Sequence, residues 1–163
     1  MMDTPARKEA INFSNAYHAT VYGMLVNQDS PFAGATSIQD FNGASVLGQR
    51  DTALDTVIDQ IQGVNHLTAV ASVPDMIARL QQGACDAIVV NVESSEGYLA
   101  SNPNFQLITF EEGNGFELPS NGSCVGIRKS DNDLLALVNE ALATVDQPTR
   151  DVMWETAVAN QPV

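Results

Sequence analysis

The sequence predicts an α/β fold with a largely parallel sheet, because short apolar runs alternate with segments of helical periodicity. The clearest strand is residues 86–90, a continuous apolar run typical of a strand that is covered on both faces. The clearest helix follows Ser72, which offers an N-cap with Asp75 three residues later, and Gly83 is placed to end it. No internal repeat or low-complexity segment interrupts this alternation.

The remaining elements are predicted from hydrophobic periodicity and from the residues that flank each run. A helix at 51–62 has one apolar stripe and Gly63 at its end, and a long helix begins with Ser130 and Asp133 as a capping pair. Pro148 separates this long helix from a last helix that carries Val152, Met153 and Trp154. The other predictions are strands at 21–26, 44–47, 64–71, 105–110 and 124–128, a helix at 93–100, a linker-like stretch at 27–35 and a loop at 111–123.

The chain has twenty Asp and Glu but only seven Lys and Arg, and its net charge of −13 argues against anionic partners. Such a field repels phosphate backbones and anionic lipid, so binding to nucleic acid or to a membrane surface is not expected. No apolar run reaches the roughly 18 residues that a membrane-spanning helix needs. The first residues lack the pattern of a secretory signal, which leaves either a cytosolic protein or a mature chain.

Enzyme and metal signatures are missing from the sequence. It contains no phosphate-binding loop, no nucleophile elbow and no zinc-protease helix. Cys85 and Cys124 lack metal-ligand spacing, and each lies beside an apolar run where a cysteine is usually buried, although a disulfide between them stays open. Glu111 and Glu112 resemble an acid/base pair only superficially, and a solvated loop is the simpler interpretation. No cofactor and no metal site is therefore expected.

Two positions are candidates for binding a small ligand. Thr52 stands at the start of a predicted helix that follows a strand, where the helix dipole favours an anion and the hydroxyl adds a donor. The alternative is that Thr52 or Asp51 only caps that helix. Asn91 ends a buried strand, which is where open α/β sheets place ligand groups, although such side chains often cap the next turn.

Four segments, in order and at matching spacing over nearly the whole chain, resemble motifs of the bacterial amino-acid-binding proteins that serve uptake transporters, a group of type II solute-binding proteins. The first resembles the Thr-x-x-Arg signature followed by Phe-Ser-x-x-Tyr, and the second resembles the entry to the second lobe. The third is similar to the Leu-x-x-Gly-x-x-Asp-Ala lead into a strand, and the fourth is similar to the return crossover. The segments are TPARKEAINFSNAY at 4–17, IQDFNG at 38–43, LQQGACDA at 80–87 and GIRK at 126–129.

The resemblance implies a type II periplasmic-binding-protein-like α/β fold of two lobes with the ligand in the cleft between them. Residues 1–31 would be the end of lobe 1 and the first crossover strand. Residues 32–123 would form lobe 2, a three-layer αβα sandwich. Residues 124–163 would provide the return crossover and the C-terminal helices, and most of lobe 1 would precede Met1.

The resemblance also implies roles for five residues. Arg7 matches the arginine that pairs with the α-carboxylate of the ligand, a task suited to a planar group with two donors. Thr52 keeps one of two hydroxyls that donate to that carboxylate, while Asp51 replaces the other and Arg50 replaces the usual glycine. Asn91 stands where an aspartate that holds the ammonium is expected. These departures predict a non-standard ligand or a weakened site.

The implied function is capture of a small polar solute, an amino acid or a relative, for a membrane permease of an ABC transporter, without catalysis and outside the cytoplasm. Two alternatives stay open: a ligand-sensing domain of a membrane receptor, and a dehydratase-like enzyme on the same fold. Without lobe 1, Phe13, Tyr17, Met153 and Trp154 would lose apolar partners. We therefore expect a homodimer or an exchange of segments.

Overall fold

The computed structural model describes residues 1–118, 120 and 122–160. Two residues of the predicted loop at 111–123, Pro119 and Asn121, and the last three of the chain lie outside the described residues. The chain divides into two compact units. The first contains residues 1–19 together with 119–163, and the second contains residues 20–118.

Nine strands and six α-helices are described. The strands are β1 (Ile11–Phe13), β2 (His18–Ala19), β3 (Tyr22–Asn27), β4 (Ser45–Leu47), β5 (Asn65–His66), β6 (Ala87–Asn91), β7 (Phe105–Ile108), β8 (Gly122–Ser123) and β9 (Gly126–Arg128). The helices are α1 (Pro5–Ala10), α2 (Ala53–Thr56), α3 (Val73–Gln81), α4 (Ser95–Ser101), α5 (Asn132–Ala143) and α6 (Gln147–Ala159). Short 3-10 helices occupy Ile38–Phe41, Val57–Gln60 and Val92–Ser94.

The second unit is built on a five-stranded sheet in the order β5-β4-β6-β3-β7. Strands β5, β4 and β6 are parallel, but β3 runs antiparallel to both of its neighbours, β6 and β7. The prediction of a largely parallel sheet is therefore wrong, and the sheet is mixed. The direction of β3 depends on how the chain enters the unit, which the composition of the strand does not reveal.

The apolar runs form the central strands, whose side chains are buried on both faces of the sheet. In β3 and β6, every residue except the last is buried, as the continuous run at 86–90 predicts. Leu25 pairs with Ile88 across the strands, and both belong to one apolar cluster with Met76 and Leu80 of α3. Tyr98 and Leu99 of α4 pack against the same cluster.

Alternation along each strand places Met24, Val26 and Val89 on the opposite face. The buried residues of α2 and of the 3-10 helices at 38–41 and 57–60 lie outside the first cluster, and α2 contacts β6. We infer that these short helices cover the second face. The three-layer αβα arrangement follows from helices on both sides of the sheet.

The helix predicted to follow Ser72 is confirmed. Ser72 accepts a hydrogen bond from the backbone N–H of Asp75, and Met76, Ile77 and Leu80 are buried. Gly83 has a φ of 67°, the left-handed conformation that glycine adopts without strain just beyond a helix.

The helix predicted at 51–62 is shorter than expected. Only Ala53–Thr56 is α-helical, and Val57–Gln60 continues as a 3-10 helix. The β-branched residues at 56, 57 and 58 reduce helix propensity, and burial decides the local conformation. The predicted apolar stripe is nevertheless buried, at Leu54, Val57, Ile58 and Ile61.

The strand predicted at 64–71 is also shorter. Only Asn65–His66 pairs with β4, while Val70 forms an isolated bridge with Gln49. The chain leaves the sheet between these two points, so the run of strand-forming residues overestimates the strand.

The first unit contains two short antiparallel pairs, β1 with β9 and β2 with β8, together with α1, α5 and α6. The predicted capping pair of α5 is wrong, because Asp131 occupies the cap position and makes no capping hydrogen bond. The hydroxyl of Ser130 instead donates to the carboxylate of Asp131. Pro148 lies in the first turn of α6, a position that tolerates proline, and α5 ends at Ala143.

None of the helices in the described part of the chain combines the length and the apolar character needed to cross a membrane.

Candidate ligand-binding site

Arg7 lies on α1 in the first unit, and its side chain is exposed. Its Nη1 donates to the backbone oxygen of Met2 at 3.1 Å. Within the described part of the chain no carboxylate forms an ion pair with Arg7, whereas its neighbour Lys8 pairs with Asp3 at 2.6 Å. The guanidinium therefore keeps donors that an anion can reach.

Thr52 is the N-cap of α2, as the capping interpretation predicts. Its hydroxyl accepts from the backbone N–H of Leu54 at 3.2 Å and donates to the backbone oxygen of Gln49 at 2.8 Å. A hydroxyl has a single proton, so Thr52 must release Gln49 before it can donate to a ligand. Because α2 has only four residues, fewer aligned peptide dipoles support an anion here than a longer helix would provide.

The two residues before Thr52 form a tight turn. Arg50 is exposed, and its backbone N–H donates to the oxygen of Val70 at 2.8 Å. Asp51 has a φ of 61°, the only positive φ among the described residues other than glycine. Aspartate tolerates this left-handed conformation better than most residues, so the turn explains an aspartate here without any role in binding.

Asn91 is the last residue of β6 and is partly exposed. Its backbone oxygen accepts hydrogen bonds from the hydroxyls of Ser95 at 2.7 Å and Ser94 at 3.3 Å. Its side-chain amide does not cap the following 3-10 helix and has no hydrogen-bond partner in the described part of the chain. The amide is thus free to bind another group.

The sheet brings four of the five predicted residues to one edge. Since β4 and β6 are adjacent and parallel, the segment 50–52 after β4 and Asn91 at the end of β6 lie at the same edge of the sheet. This is the carboxyl edge, where parallel α/β sheets present ligand-binding groups. Arg7 belongs to the other compact unit.

The same edge of the second unit holds a cavity of about 330 Å³ that the sequence did not predict. The antiparallel strand β3 begins here and β7 ends here, so Tyr22 and the loop after Phe110 form its walls. Glu111, Glu112 and Glu117 also line this cavity. The sequence predicts a loop at 111–123, but nothing in the sequence indicates that this loop folds against the start of β3.

Residues 1–150 match the family described as bacterial extracellular solute-binding proteins, family 3. The arginine-binding extracellular protein ArtP of Bacillus subtilis (strain 168) is 25% identical over 149 residues, which cover 90% of this chain and 55% of that protein. The chain thus spans little more than half the length of this curated relative.

Solved structures show the same fold. The substrate-binding protein of an amino acid ABC transporter is 28% identical, with a TM-score of 0.78, over 96% of this chain and 67% of that one. The P235GK mutant of ArgBP from T. maritima is 25% identical, also with a TM-score of 0.78, over 98% of this chain and 67% of that one. A Streptococcus pneumoniae amino acid ABC transporter substrate-binding protein bound to L-arginine has a TM-score of 0.83 at 21% identity, covering the whole of this chain and 67% of that one, which supports the fold alone.

The expected type II binding-protein fold is confirmed by these structures, and the family match covers all four motif segments on which the resemblance rests. The chain belongs to the bacterial extracellular solute-binding proteins, family 3.

Proposed function

We propose that this chain is the solute-binding component of an ABC-type amino-acid uptake transporter, and that its ligand is an amino acid or a close relative. The observation that carries the proposal is the side-chain amide of Asn91, which has no hydrogen-bond partner among the described residues and lies at the carboxyl edge of the sheet, beside the turn at 50–52. Family membership supports a binding role, and relatives named for arginine make arginine the first ligand to test. Location outside the cytoplasm and delivery to a membrane permease are part of the same proposal.

The roles of the groups follow from their chemistry. Arg7 would bind the α-carboxylate through its guanidinium, and Asn91 would accept a hydrogen bond from the ammonium. Thr52 would contribute only after exchanging its bond to Gln49 for one to the ligand. Asp51 would oppose a carboxylate nearby, so we propose a weaker site than one with a second hydroxyl and a charged partner for the ammonium.

The test is isothermal titration calorimetry of the chain with L-arginine, L-glutamine and L-glutamate, each repeated with Arg7→Lys and Arg7→Ala. Saturable binding that falls in both variants supports the proposal, because lysine keeps the charge but loses the two-donor geometry. Arg150→Lys is the matched control, since Arg150 lies on α6 and takes no part in the proposed site. Binding that is unchanged in both Arg7 variants would contradict the proposed carboxylate contact.

We propose a binding role without catalysis. The alternative, a dehydratase-like enzyme on the same fold, would convert prephenate or arogenate. Incubation of the chain with each compound, followed by product analysis, tests directly whether the chain is a catalyst. Turnover above that of the heat-denatured chain would contradict it.

We also propose that a second copy of the chain covers the apolar face of the first unit. Met153 and Leu137 are each 62% exposed and Trp154 is 41% exposed, and a cavity of about 320 Å³ opens beside Trp154. Such a concentration of exposed apolar side chains is unusual for a soluble monomer. Light scattering would show a mass of two chains. The fraction of dimer should increase with salt, because salt screens the repulsion between two chains that each carry a net charge of −13.

The variant Trp154→Gln should shift the equilibrium toward one chain, and Val21→Gln, at an exposed apolar position in the second unit, would serve as the control. A mass of one chain at high concentration and high salt would contradict this interface.

A further inference from the structure

His66 on β5 is held between two carboxylates. Its Nε2 lies 2.8 Å from Oδ1 of Asp55 on α2, and its Nδ1 lies 2.8 Å from Oδ1 of Asp59 in the 3-10 helix that follows. The side chain of His66 is 24% exposed, that of Asp55 is 25% exposed and that of Asp59 is 75% exposed. One imidazole therefore joins the edge strand to both parts of the short helical segment.

This arrangement is complete only when the imidazole carries two protons. A protonated histidine donates from both nitrogens, whereas a neutral histidine donates from one and presents a lone pair at the other. In the neutral form one of the two carboxylates would lose its donor and face that lone pair instead. The two short contacts thus favour the protonated form.

The pKa of His66 agrees with this geometry. Burial alone would lower it, but the hydrogen bonds and the negative charges of Asp55 and Asp59 outweigh burial and raise the pKa above its ordinary value. Strand β4, which pairs with β5, contributes no charged side chain, and Asp86 beyond it accepts from the backbone N–H of Ser45. Within the described part of the chain, Asp55 and Asp59 are the charged groups that act on His66.

Asp55 connects this histidine to the turn at 50–52. Its backbone N–H donates to the oxygen of Thr52 at 3.3 Å. Its Cα packs so closely on Gly48 that a Cβ at Gly48 would lie 2.4 Å from it. Thr52 in turn donates to Gln49. A displacement of Asp55 would therefore disturb the contacts that hold both ends of the turn.

We propose that His66 is a positioning residue, which in its protonated form clamps Asp55 and thereby fixes the turn at Arg50–Thr52. Loss of a proton leaves a donor for only one of the two carboxylates, which loosens the clamp and lets this turn open more often. Only the last step, from an open turn to weaker ligand binding, rests on the proposed function. The clamp itself is a property of the unliganded chain.

The direction of the effect follows from the raised pKa. A group with a higher pKa in the folded state than in the open state adds stability at pH values below the open-state pKa, and this stability is lost as the pH rises through the folded-state value. Each unit between the two pKa values changes the opening equilibrium constant tenfold. The segment should consequently open more often as the pH rises above 6.5, the ordinary pKa of histidine.

The test is amide hydrogen exchange of the unliganded chain, followed by mass spectrometry, from about pH 5 to about pH 9, with rates corrected for the intrinsic dependence of exchange on pH. We expect protection of peptides from 48–60 to fall across the pH range, while peptides from α3 keep theirs. In His66→Gln the protection should be low and independent of pH. His18→Gln removes the other histidine and should leave the pH dependence unchanged.

A second variant separates the clamp from a general loss of folding. Asp59 is mostly exposed, so Asp59→Asn should fold and should move the midpoint of the transition to lower pH, as measured also by the NMR titration of the His66 ring. Asp29→Asn, at an exposed position, is the control. An unshifted midpoint in Asp59→Asn, or a pH dependence that survives in His66→Gln, would overturn the proposal.

The proposed function is tested separately by calorimetry at the two ends of the pH range. Binding that weakens with pH in the wild-type chain but not in His66→Gln supports the whole sequence from clamp to ligand. A pH-dependent clamp without any amino-acid binding would leave the clamp standing and remove the proposed function. Amino-acid binding without a pH-dependent clamp would support the proposed function and overturn the clamp.

Discussion

The backbone of Gly48 packs directly against the Cα of Asp55, with no room for a side chain between them. A Cβ at Gly48 would lie 2.4 Å from that Cα and 2.8 Å from the backbone oxygen of Leu54. This contact places α2 immediately beside the end of β4. The segment that carries Thr52 thus folds back on the strand from which it emerges.

Gly48→Ala should destabilise the chain by about 1–3 kcal/mol, because backbone atoms must move to admit the methyl group. Urea denaturation at constant pH measures the change. Gly34→Ala is the matched control, since a Cβ at Gly34 meets no atom within 4 Å and φ is not positive there. Equal midpoints for the two variants would contradict the close packing.

Asn91→Asp should strengthen the binding of an α-amino acid by about 1–2 kcal/mol, roughly tenfold in the dissociation constant, because a carboxylate adds a charge-assisted hydrogen bond to the ammonium. Calorimetry with the ligand found for the wild-type chain provides the measurement. The control is Asn104→Asp, which adds the same charge at an exposed position in the same unit. Equal gains in both variants would mean that net charge, and not position 91, governs affinity.

Cys85 should resist thiol reagents in the folded chain. It is 5% exposed, and burial, followed by the charge of Asp86, raises the pKa of its thiol to about 11. At neutral pH only about one thiol in ten thousand would be ionised. Labelling of the Cys124→Ser variant with iodoacetamide isolates Cys85, and the rate should rise steeply in denaturant. Fast labelling without denaturant would contradict the buried position.

The N-terminal segment should detach as the pH falls. Lys8 and Ser120 hydrogen-bond to the carboxylate of Asp3 and hold its pKa below the ordinary value of 3.8. A lowered folded-state pKa adds stability above the unfolded-state value, and this stability is lost as the pH falls through the folded-state pKa.

Acid unfolding, followed by circular dichroism below about pH 5, measures this effect. Asp3→Asn should be less stable than the wild type near neutral pH, and the difference should shrink in acid. Asp29→Asn should show no such convergence. A constant difference for Asp3→Asn would contradict the linkage.

The parts of the fold that were predicted correctly depend on local signals. The helix α3 was predicted because Ser72 and Gly83 mark its ends within the sequence itself. The strand β6 was predicted because a doubly covered strand requires an unbroken apolar run. The antiparallel direction of β3 could not be predicted from the sequence. Strand direction depends on the path of the chain through the unit and not on the residues of the strand.

The candidate site shows the same limit. The start of a predicted helix located Thr52 and the end of a predicted strand located Asn91, and the parallel pairing of β4 with β6 brings both to one edge. The contacts of His66 with Asp55 and Asp59 had no counterpart in the sequence, because they arise when β5 packs beside a segment that departs from helical geometry. The shorter α2 is a tertiary effect of the same kind, in which burial outweighs helix propensity.

The mixed sheet also determines the order in which the second unit can assemble. Strand β3 is synthesised first, but its pairing partner Ile88 follows Leu25 by about 60 residues. Both edges of β3 stay unpaired until β6 and β7 have been made. The apolar strand therefore remains exposed until the chain between β3 and β6 has closed into a loop. We therefore expect slow folding of the nascent chain and a dependence on holding chaperones, which bind exposed strands of this kind before the sheet is complete.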